Sequence, residues 1–182
     1  MIKPTLFGLW AINKHADTNH YYDINLPYDY HLSLSVKSGE NFKHLLLPGD
    51  WEWVQDVLWG HDLMEDARVS YNDIVREAKK YHSIENAIKI AEAIRALTNY
   101  NRGRNRKERM PDYIYQEIKS TPGATFAKVA GDRIANVKHG LIFGSSMKKK
   151  YKEEQEHFKK MLYTNEYKEI WDYLDNLLKL NL

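Results

Sequence analysis

The chain has 182 residues, of which 43% are hydrophobic and 29% charged, a composition that is typical of globular domains and excludes a disordered chain. It contains no cysteine, which excludes disulfides and thiolate metal sites, and its net charge of +2 is too small to identify a partner. Its apolar stretches are shorter than a bilayer span, and its N-terminus lacks a signal-peptide cleavage site. We therefore expect one domain over 1–182, a cytoplasmic location and no membrane partner.

The first segment with a clear pattern runs from His31 to Val36 and alternates apolar and polar residues, which is typical of a strand. The pattern alone therefore leaves a strand, a short irregular stretch or a hairpin near 24–46 open, although tertiary contacts often override a short local pattern.

Three helix starts follow in chain order. Asp50 can cap a helix that begins at Trp51. The sequence Ser70 to Asp73 resembles a capping box that opens a helix to about Tyr81. Ser83 opens another helix, whose apolar residues keep the i, i+3, i+4 spacing and are predicted to face inward: Ile84, Ala87, Ile88, Ala91, Ile94 and Leu97.

The second half of the chain also has helical periodicity. Pro111 suits the first turn of a short helix, and Thr121-Pro122-Gly123 breaks the chain before a long helical pattern. Two amphipathic helices at about 147–162 and 165–180 close the chain, with Thr164 as a cap, and the last is predicted to bury Trp171, Leu174 and Leu178. The predicted fold class is therefore an all-α helical bundle.

The strongest signal for chemistry is the segment His61-Asp62-Leu63-Met64-Glu65-Asp66. His61 and Asp62 can place an imidazole nitrogen and a carboxylate on one cation, and on a helix Glu65 and Asp66 follow them one turn later. Metal-assisted hydrolysis uses both kinds of group, because the ion lowers the pKa of bound water and polarises a phosphoryl oxygen. A carboxylate outside the ligand shell can position or deprotonate that water.

Two further fragments carry polar residues in apolar surroundings. Asp132 and Asn136 share one face of an otherwise apolar helix, and a buried Asp needs either a counter-charge or a metal. The fragment alone leaves both interpretations open, with Lys128 or Arg133 as the counter-charge. His31 is the third candidate, although a lone His beside an apolar stretch is more often a hydrogen-bonded core residue.

A basic segment from Arg102 to Arg109 carries five Arg or Lys residues. It can be a solvated loop, or it can bind an anionic phosphate, whose geometry the guanidinium matches. With Tyr100 before it and Tyr113 after it, a nucleic-acid-binding module is a third interpretation, which the near-neutral charge of the chain disfavours.

Taken in order, three motifs resemble those of the HD-domain phosphohydrolases: P-Y-x-x-H (Pro27 to His31), H-D-x-x-E-D (His61 to Asp66) and D-R-x-x-N (Asp132 to Asn136). They look most like the hydrolase domain of the RelA/SpoT alarmone enzymes and the small single-domain metazoan SpoT homologues. The resemblance covers nearly the whole chain and implies a single HD-type helical bundle. It also implies a helix after the first His, so we predict a helix over His31 to Val36 despite the alternating pattern.

The resemblance also implies the roles of individual residues. One divalent metal, usually manganese, would be held by His31, His61, Asp62 and Asp132, a donor set that also suits Fe²⁺, Zn²⁺ or Co²⁺. Glu65 and Asp66 would activate the attacking water. The substrate contacts would be Asn136, Tyr28 and the basic residues Arg102, Arg104, Arg106 and Lys107.

In this family the reaction removes the 3′-pyrophosphate of guanosine tetra- or pentaphosphate, so we expect a nucleotide as substrate. The sequence shows no synthetase domain, which predicts degradation only. Some small homologues act on the 2′-phosphate of NADPH, and other HD enzymes are dNTP triphosphohydrolases or nucleotidases, so these activities are the alternatives. The oligomeric state stays open, with a homo-oligomer as one option.

Two departures from the family pattern bear on the structure. The stretch from Tyr21 to Asn25 has no cation where the family usually has Arg or Lys. The run Lys128-Val129-Ala130-Gly131-Asp132 is one residue longer than the usual K-x-A-D. An added residue rotates the helix face that carries Asp132 unless the hydrogen-bond ladder adjusts.

Overall fold

The computed structural model describes residues 2–23, 25–99, 108, 110–144 and 147–180. Over these ranges the chain is mostly helical, which confirms the predicted all-α class. None of the helices in these ranges has the length and apolar character that a membrane crossing needs. The helices are α1 (Leu6–Asp17), α2 (Tyr28–Glu40), α3 (Trp51–Gly60), α4 (Leu63–Asp66), α5 (Tyr71–Ala78), α6 (Ile84–Leu97), α7 (Asp112–Ser120), α8 (Ala124–Phe126, Ala127–Arg133 and Ile134–Phe143), α9 (Met147–Leu162) and α10 (Lys168–Lys179).

A small hairpin precedes α2. Its strands β1 (Tyr21–Tyr22) and β2 (Leu26–Pro27) pair antiparallel, and α2 starts directly after them. The helix predicted at 31–36 is therefore confirmed, and the alternative of a hairpin applies only to the residues before it. The alternating pattern was misleading because the buried residues follow helical spacing, and they include Tyr28, His31, Leu32, Ser35, Val36, Ser38 and Gly39.

Local capping explains where several helices begin. Ser70 and Asp73 form the predicted capping box, although α5 ends at Ala78 rather than near Tyr81. The hydroxyl of Ser83 accepts a hydrogen bond from the Asn86 backbone N–H at the start of α6. Asp50 precedes α3, but its carboxylate accepts from the indole N–H of Trp53 instead of from the backbone.

The inward face of α6 agrees with the predicted stripe at four positions, since Ala87, Ala91, Ile94 and Leu97 are buried. Ile84 and Ile88 are exposed, at 53% and 42%, whereas Ile90 is completely buried. The apolar residues of this helix cover more than one stripe, so periodicity predicted only part of the buried face. In α10 the prediction was right, since Trp171, Leu174 and Leu178 are buried.

The long helix α8 contains a π-helical stretch, Ala127–Arg133, in its middle. A π turn accommodates one residue more than an α turn, so an added residue can be absorbed without rotating the rest of the helix. Gly131 lies within this stretch, and a Cβ atom there would overlap the Leu58 side chain of α3. The ladder thus adjusts around the extra residue, and α8 approaches α3 closely.

The core positions the motifs because α2 packs against both α3 and α8. Completely buried side chains at this junction include Leu32, Leu58, Trp59, Phe126 and Val129. Burial of each such side chain contributes about 1.5–3 kcal/mol to folding. The packing brings the N-terminal part of α2, the junction of α3 with α4, and the middle of α8 to one point.

Candidate metal centre

Four polar side chains from three segments converge at this point. The Nε2 atoms of His31 and His61 are 3.1 Å apart. Asp62 Oδ2 lies 3.0 Å from His61 Nε2 and 3.6 Å from His31 Nε2. Asp132 Oδ1 lies 3.6 Å from His31 Nε2 and 3.9 Å from His61 Nε2. The structure therefore brings together the four residues that the resemblance names as ligands.

The arrangement fits a small divalent cation. Within the ranges that the structure describes, His31, His61 and Asp62 form a group whose ligand atoms all lie within 4.8 Å of one another, and this group could hold a metal ion. Ligand atoms about 2.0–2.2 Å from a common ion are themselves about 3 to 4.4 Å apart, which matches the distances seen. Nitrogen and carboxylate donors suit a borderline metal such as Mn²⁺, Fe²⁺ or Zn²⁺.

The two imidazoles are oriented by different means. His61 Nδ1 lies 2.8 Å from the Leu58 carbonyl oxygen, so its N–H can donate there and leave the Nε2 lone pair for a cation, as in most metal-binding histidines. His31 Nδ1 is buried and has no hydrogen-bond partner among the described residues. Instead, the ring of Tyr22 stacks on the His31 ring at 4.6 Å, nearly parallel.

The H-D motif lies where the chain bends between two helices. His61 follows the last residue of α3, and Asp62 precedes α4, which is a single short turn. The bend allows two adjacent side chains to face the same point, which a continuous helix would separate by about 100°. Asp66 keeps its one-turn relation to Asp62, because its backbone N–H donates to the Asp62 carbonyl.

Asp132 combines the two interpretations that its sequence left open. Its Oδ2 atom accepts a hydrogen bond from Lys128 at 2.7 Å, while Oδ1 faces the two imidazoles. The side-chain amide of Asn136 donates to Asp132 Oδ1 and to its backbone carbonyl. A counter-charge and a ligand position are therefore compatible at this carboxylate. Arg133, the other proposed partner, forms an ion pair with Glu154.

Burial and mutual charge set the protonation states of the cluster in the absence of a metal. Burial, and then the charge of His61, lower the pKa of His31 to about 4. Burial also disfavours the charged form of His61, but the neighbouring Asp62 and Asp132 outweigh it and raise the pKa of His61 to about 9. Burial opposes ionisation of both carboxylates, yet His61 holds the pKa of Asp62 well below its usual range, and Lys128 lowers that of Asp132 to about 2.

Glu65 and Asp66 lie beside the cluster in a different environment. Burial raises the pKa of both carboxyl groups, and the charge of Asp62 adds to the shift. Glu65 accepts a hydrogen bond from the Asn99 backbone N–H at 3.0 Å. A carboxylate whose pKa is raised toward neutrality is a better proton acceptor, so these two residues suit the predicted role in activating water.

Tyr28, which is a predicted substrate contact, lies between the carboxylates of Asp62 and Asp66. Its hydroxyl donates to Asp62 and also lies 3.2 Å from Asp66 Oδ2. The rings of His15 and His20 stack on it at 4.3 and 4.1 Å. Tyr28 thus holds the carboxylates of the site in place, and contact with a substrate stays a prediction.

A cavity of about 190 Å³ opens beside the cluster. It is lined by the predicted residues His31, Asp62, Glu65, Asp132 and Asn136, together with residues that the sequence did not single out for substrate binding, among them Tyr22, Lys128, Arg133 and Tyr151. Lys128 and Arg133 supply two cations to a cavity otherwise rich in carboxylates. The sequence feature that could have identified Lys128 and Arg133 as cavity residues is their position in α8, four residues before and directly after Asp132.

The basic residues Arg102, Arg104, Arg106 and Lys107 lie outside the described residues. Their predicted contact with substrate therefore stays a prediction. Asn99 and Met110, on either side of that segment in the sequence, both line the cavity.

Comparisons with protein-family models, with curated proteins and with solved structures found no match to this chain. The resemblance of the three motifs to HD-domain enzymes stays an inference from the residues themselves.

Proposed function

We propose that the protein is a metal-dependent phosphohydrolase of the HD type that acts on a nucleotide, with the 3′-pyrophosphate of an alarmone as the first candidate substrate. One observation carries the proposal. His31, His61 and Asp62 form a group that could hold a cation, and Asp132 Oδ1 lies 3.6 and 3.9 Å from the two imidazoles. Two further carboxylates with raised pKa values, those of Glu65 and Asp66, lie one turn away. Separate groups for binding a cation and for accepting a proton are what metal-assisted hydrolysis requires.

The bound ion would polarise a phosphoryl oxygen and make its water more acidic. Glu65 and Asp66 would orient the attacking water and accept its proton. Lys128 and Arg133 line the cavity and would offset the negative charge that develops on the phosphoryl oxygens. Arg102 and the neighbouring basic residues would offset further negative charge at the other end of the phosphate chain.

The cavity bears on how a nucleotide would bind. At about 190 Å³ it is smaller than the cavities that enclose a complete drug-sized ligand. Its charged lining lies next to the candidate ligands, so we expect the phosphate end to enter and the nucleoside to extend outward. The stretch from Tyr21 to Asn25 has no cation where the family usually has Arg or Lys, which leaves room for substrates other than guanosine tetraphosphate.

The alternative activities differ in the product that they release. Purified protein with manganese would be incubated separately with guanosine tetraphosphate, NADPH, deoxynucleoside triphosphates and nucleoside monophosphates. We expect pyrophosphate from the alarmone, whereas tripolyphosphate or orthophosphate would identify a triphosphohydrolase, a 2′-phosphatase or a nucleotidase. Metal-independent, salt-sensitive binding to random duplex, without turnover of any nucleotide, would support the nucleic-acid-binding alternative instead.

Two substitutions separate the role of ligand from that of proton acceptor. Asp62→Ala removes a carboxylate of the cation cluster, so both bound metal and turnover should be lost. Glu65→Ala should keep the metal and reduce turnover by about 100-fold or more, because general-base catalysis contributes about that much. Metal content and initial rates would be measured beside Asp17→Ala, an exposed acidic residue. A full rate in Glu65→Ala would show that the water-activating residue is another one.

A further inference from the structure

Tyr22, in the hairpin that precedes α2, contacts one candidate ligand directly and a second one through Asn136. Its ring stacks on His31 with an angle of 11° between the two planes. Its hydroxyl donates to Asn136 Oδ1 at 2.8 Å, and the amide of Asn136 in turn donates to the carboxylate of Asp132. One side chain is thus connected to ligands on both α2 and α8.

The stacking contact is important for the orientation of the His31 ring. A metal-binding imidazole usually donates its second nitrogen to a carbonyl or carboxylate, which fixes the plane of the ring. His61 has such a partner in Leu58, but His31 Nδ1 has none among the residues that the structure describes. The face of Tyr22 can therefore hold the His31 ring in its plane, while the ring of Tyr28 packs against His31 at a steep angle, with centroids 5.7 Å apart.

The hairpin that carries Tyr22 is attached to α8 at a second point. Asp23 Oδ2 lies 2.9 Å from His139 Nε2, and the edge of the Tyr22 ring packs on the His139 ring at 4.8 Å. This attachment keeps β1 against α8, so that Tyr22 stays between His31 and Asn136.

We propose that Tyr22 is a positioning residue for the metal centre, which orients His31 by stacking and Asp132 through Asn136. The inference rests on the proposed metal centre and assigns Tyr22 a role different from that of the nucleotide-binding cation that the family has in this region. Residues that orient metal ligands typically change metal affinity by about 10- to 100-fold when they are replaced.

The test uses Co²⁺, whose visible absorption reports the geometry of its ligands. Tyr22→Phe removes the hydroxyl and keeps the ring, and Tyr22→Leu removes both. Tyr21→Phe is the matched control, because Tyr21 is the adjacent tyrosine and is 58% exposed. Co²⁺ affinity would be measured by calorimetry, together with the absorption spectrum and the unfolding midpoint of the metal-free protein.

We expect Tyr22→Leu to weaken Co²⁺ binding by about 10- to 100-fold and Tyr22→Phe by less, both with altered spectra. Tyr21→Phe should bind as the wild type does. In the Asn136→Ala variant, adding Tyr22→Phe should not weaken Co²⁺ binding further, because the Tyr22 hydroxyl then has no side-chain amide to position. This coupling distinguishes positioning from a general loss of stability.

The outcomes separate this inference from the proposed function. Wild-type affinity and spectrum in both Tyr22 variants would overturn the positioning role and leave the metal centre intact. Absence of Co²⁺ binding in the wild type would overturn the metal centre and the positioning role with it. If Tyr22→Leu does not fold, the Co²⁺ affinity of Tyr22→Phe and its coupling to Asn136→Ala still test the positioning role.

Discussion

Asp56 and Asp132 are both carboxylates in the interior of the bundle, but their neighbours differ. Asp56 accepts hydrogen bonds from the hydroxyl of Thr5 and, at 2.7 Å, from the imidazole of His82. Both of its oxygens are thereby satisfied within the fold. Asp132 Oδ2 accepts from Lys128, and Oδ1 accepts from the Asn136 amide while it also faces the imidazoles beside the cavity. The two carboxylates therefore differ in that Asp132, unlike Asp56, presents an oxygen to the candidate metal centre.

The pair of Asp56 and His82 gives a prediction of stability. Replacing His82 with Ala leaves a nearly inaccessible carboxylate without its main partner, which costs about 3 kcal/mol when a buried pair is broken. The control is His44→Ala, which removes an equally close pair with Glu169 whose two members are more than half exposed. Such a surface pair contributes about 0–1 kcal/mol. Urea denaturation would compare the two variants, and equal midpoints would contradict the prediction.

At the scale of secondary structure, α8 is the element whose geometry matters most to the site. Its π-helical stretch contains both Lys128 and Asp132, and it ends immediately before the regular α-helix that carries Asn136. The π-helical stretch thus lies inside the segment that supplies a candidate ligand. π turns often occur at functional sites, because they redirect one side chain without moving the whole helix.

Gly131 provides a test of how tightly this stretch is packed. In an ordinary helix Gly→Ala increases stability by about 0.5–1 kcal/mol. Here we expect Gly131→Ala to destabilise the protein by about 1–3 kcal/mol, because the added Cβ would overlap Leu58 Cδ2. Thermal unfolding would measure the change.

The compensating variant for Gly131→Ala is Leu58→Val, which removes the δ-methyl groups that the new Cβ would meet. In the double variant the cost should be smaller than the sum of the two single costs, because the substitutions are in contact. Strictly additive costs would mean that the strain arises elsewhere in the π-helical stretch.

Over the whole molecule, the candidate ligands connect parts of the chain that are distant in sequence. His31 lies on α2, His61 and Asp62 join α3 to α4, and Asp132 lies on α8. A cation bound by all of them would cross-link the three helices that form the centre of the bundle. Since the unfolded chain cannot present these groups together, binding would stabilise the folded state by mass action.

The size of this effect can be predicted. At a free Mn²⁺ concentration of about 100 times its dissociation constant, the folded state gains about 2.7 kcal/mol. For a chain of this length that raises the unfolding midpoint by about 5 to 10 °C. Differential scanning calorimetry with manganese and with a chelator would measure the difference. Asp62→Ala should show no such increase, and an increase of the same size in that variant would place the bound metal elsewhere.

Features that depend on residues within one helical turn could be predicted from the sequence. The Ser70–Asp73 capping box, the Ser83 cap and the buried face of α10 are examples. The inward face of α6 was predicted only in part: Ala87, Ala91, Ile94 and Leu97 are buried, but Ile84 and Ile88 are exposed, because the choice among several apolar stripes depends on which helices pack against this one. The pair of Asp56 and His82 could not be predicted, because its two members lie 26 residues apart in the sequence.

For the candidate site, sequence motifs alone selected His31, His61, Asp62 and Asp132, together with Glu65 and Asp66. Tertiary structure decided how these groups are held: Tyr22 contacts Asn136 across 114 residues, and Tyr28 contacts Asp62 across 34. It also decided that Asp132 accepts a hydrogen bond from Lys128 with one oxygen and faces the imidazoles with the other. The physical reason is that a motif specifies donor types and local spacing, whereas the distances among those donors are set by the packing of α2, α3 and α8.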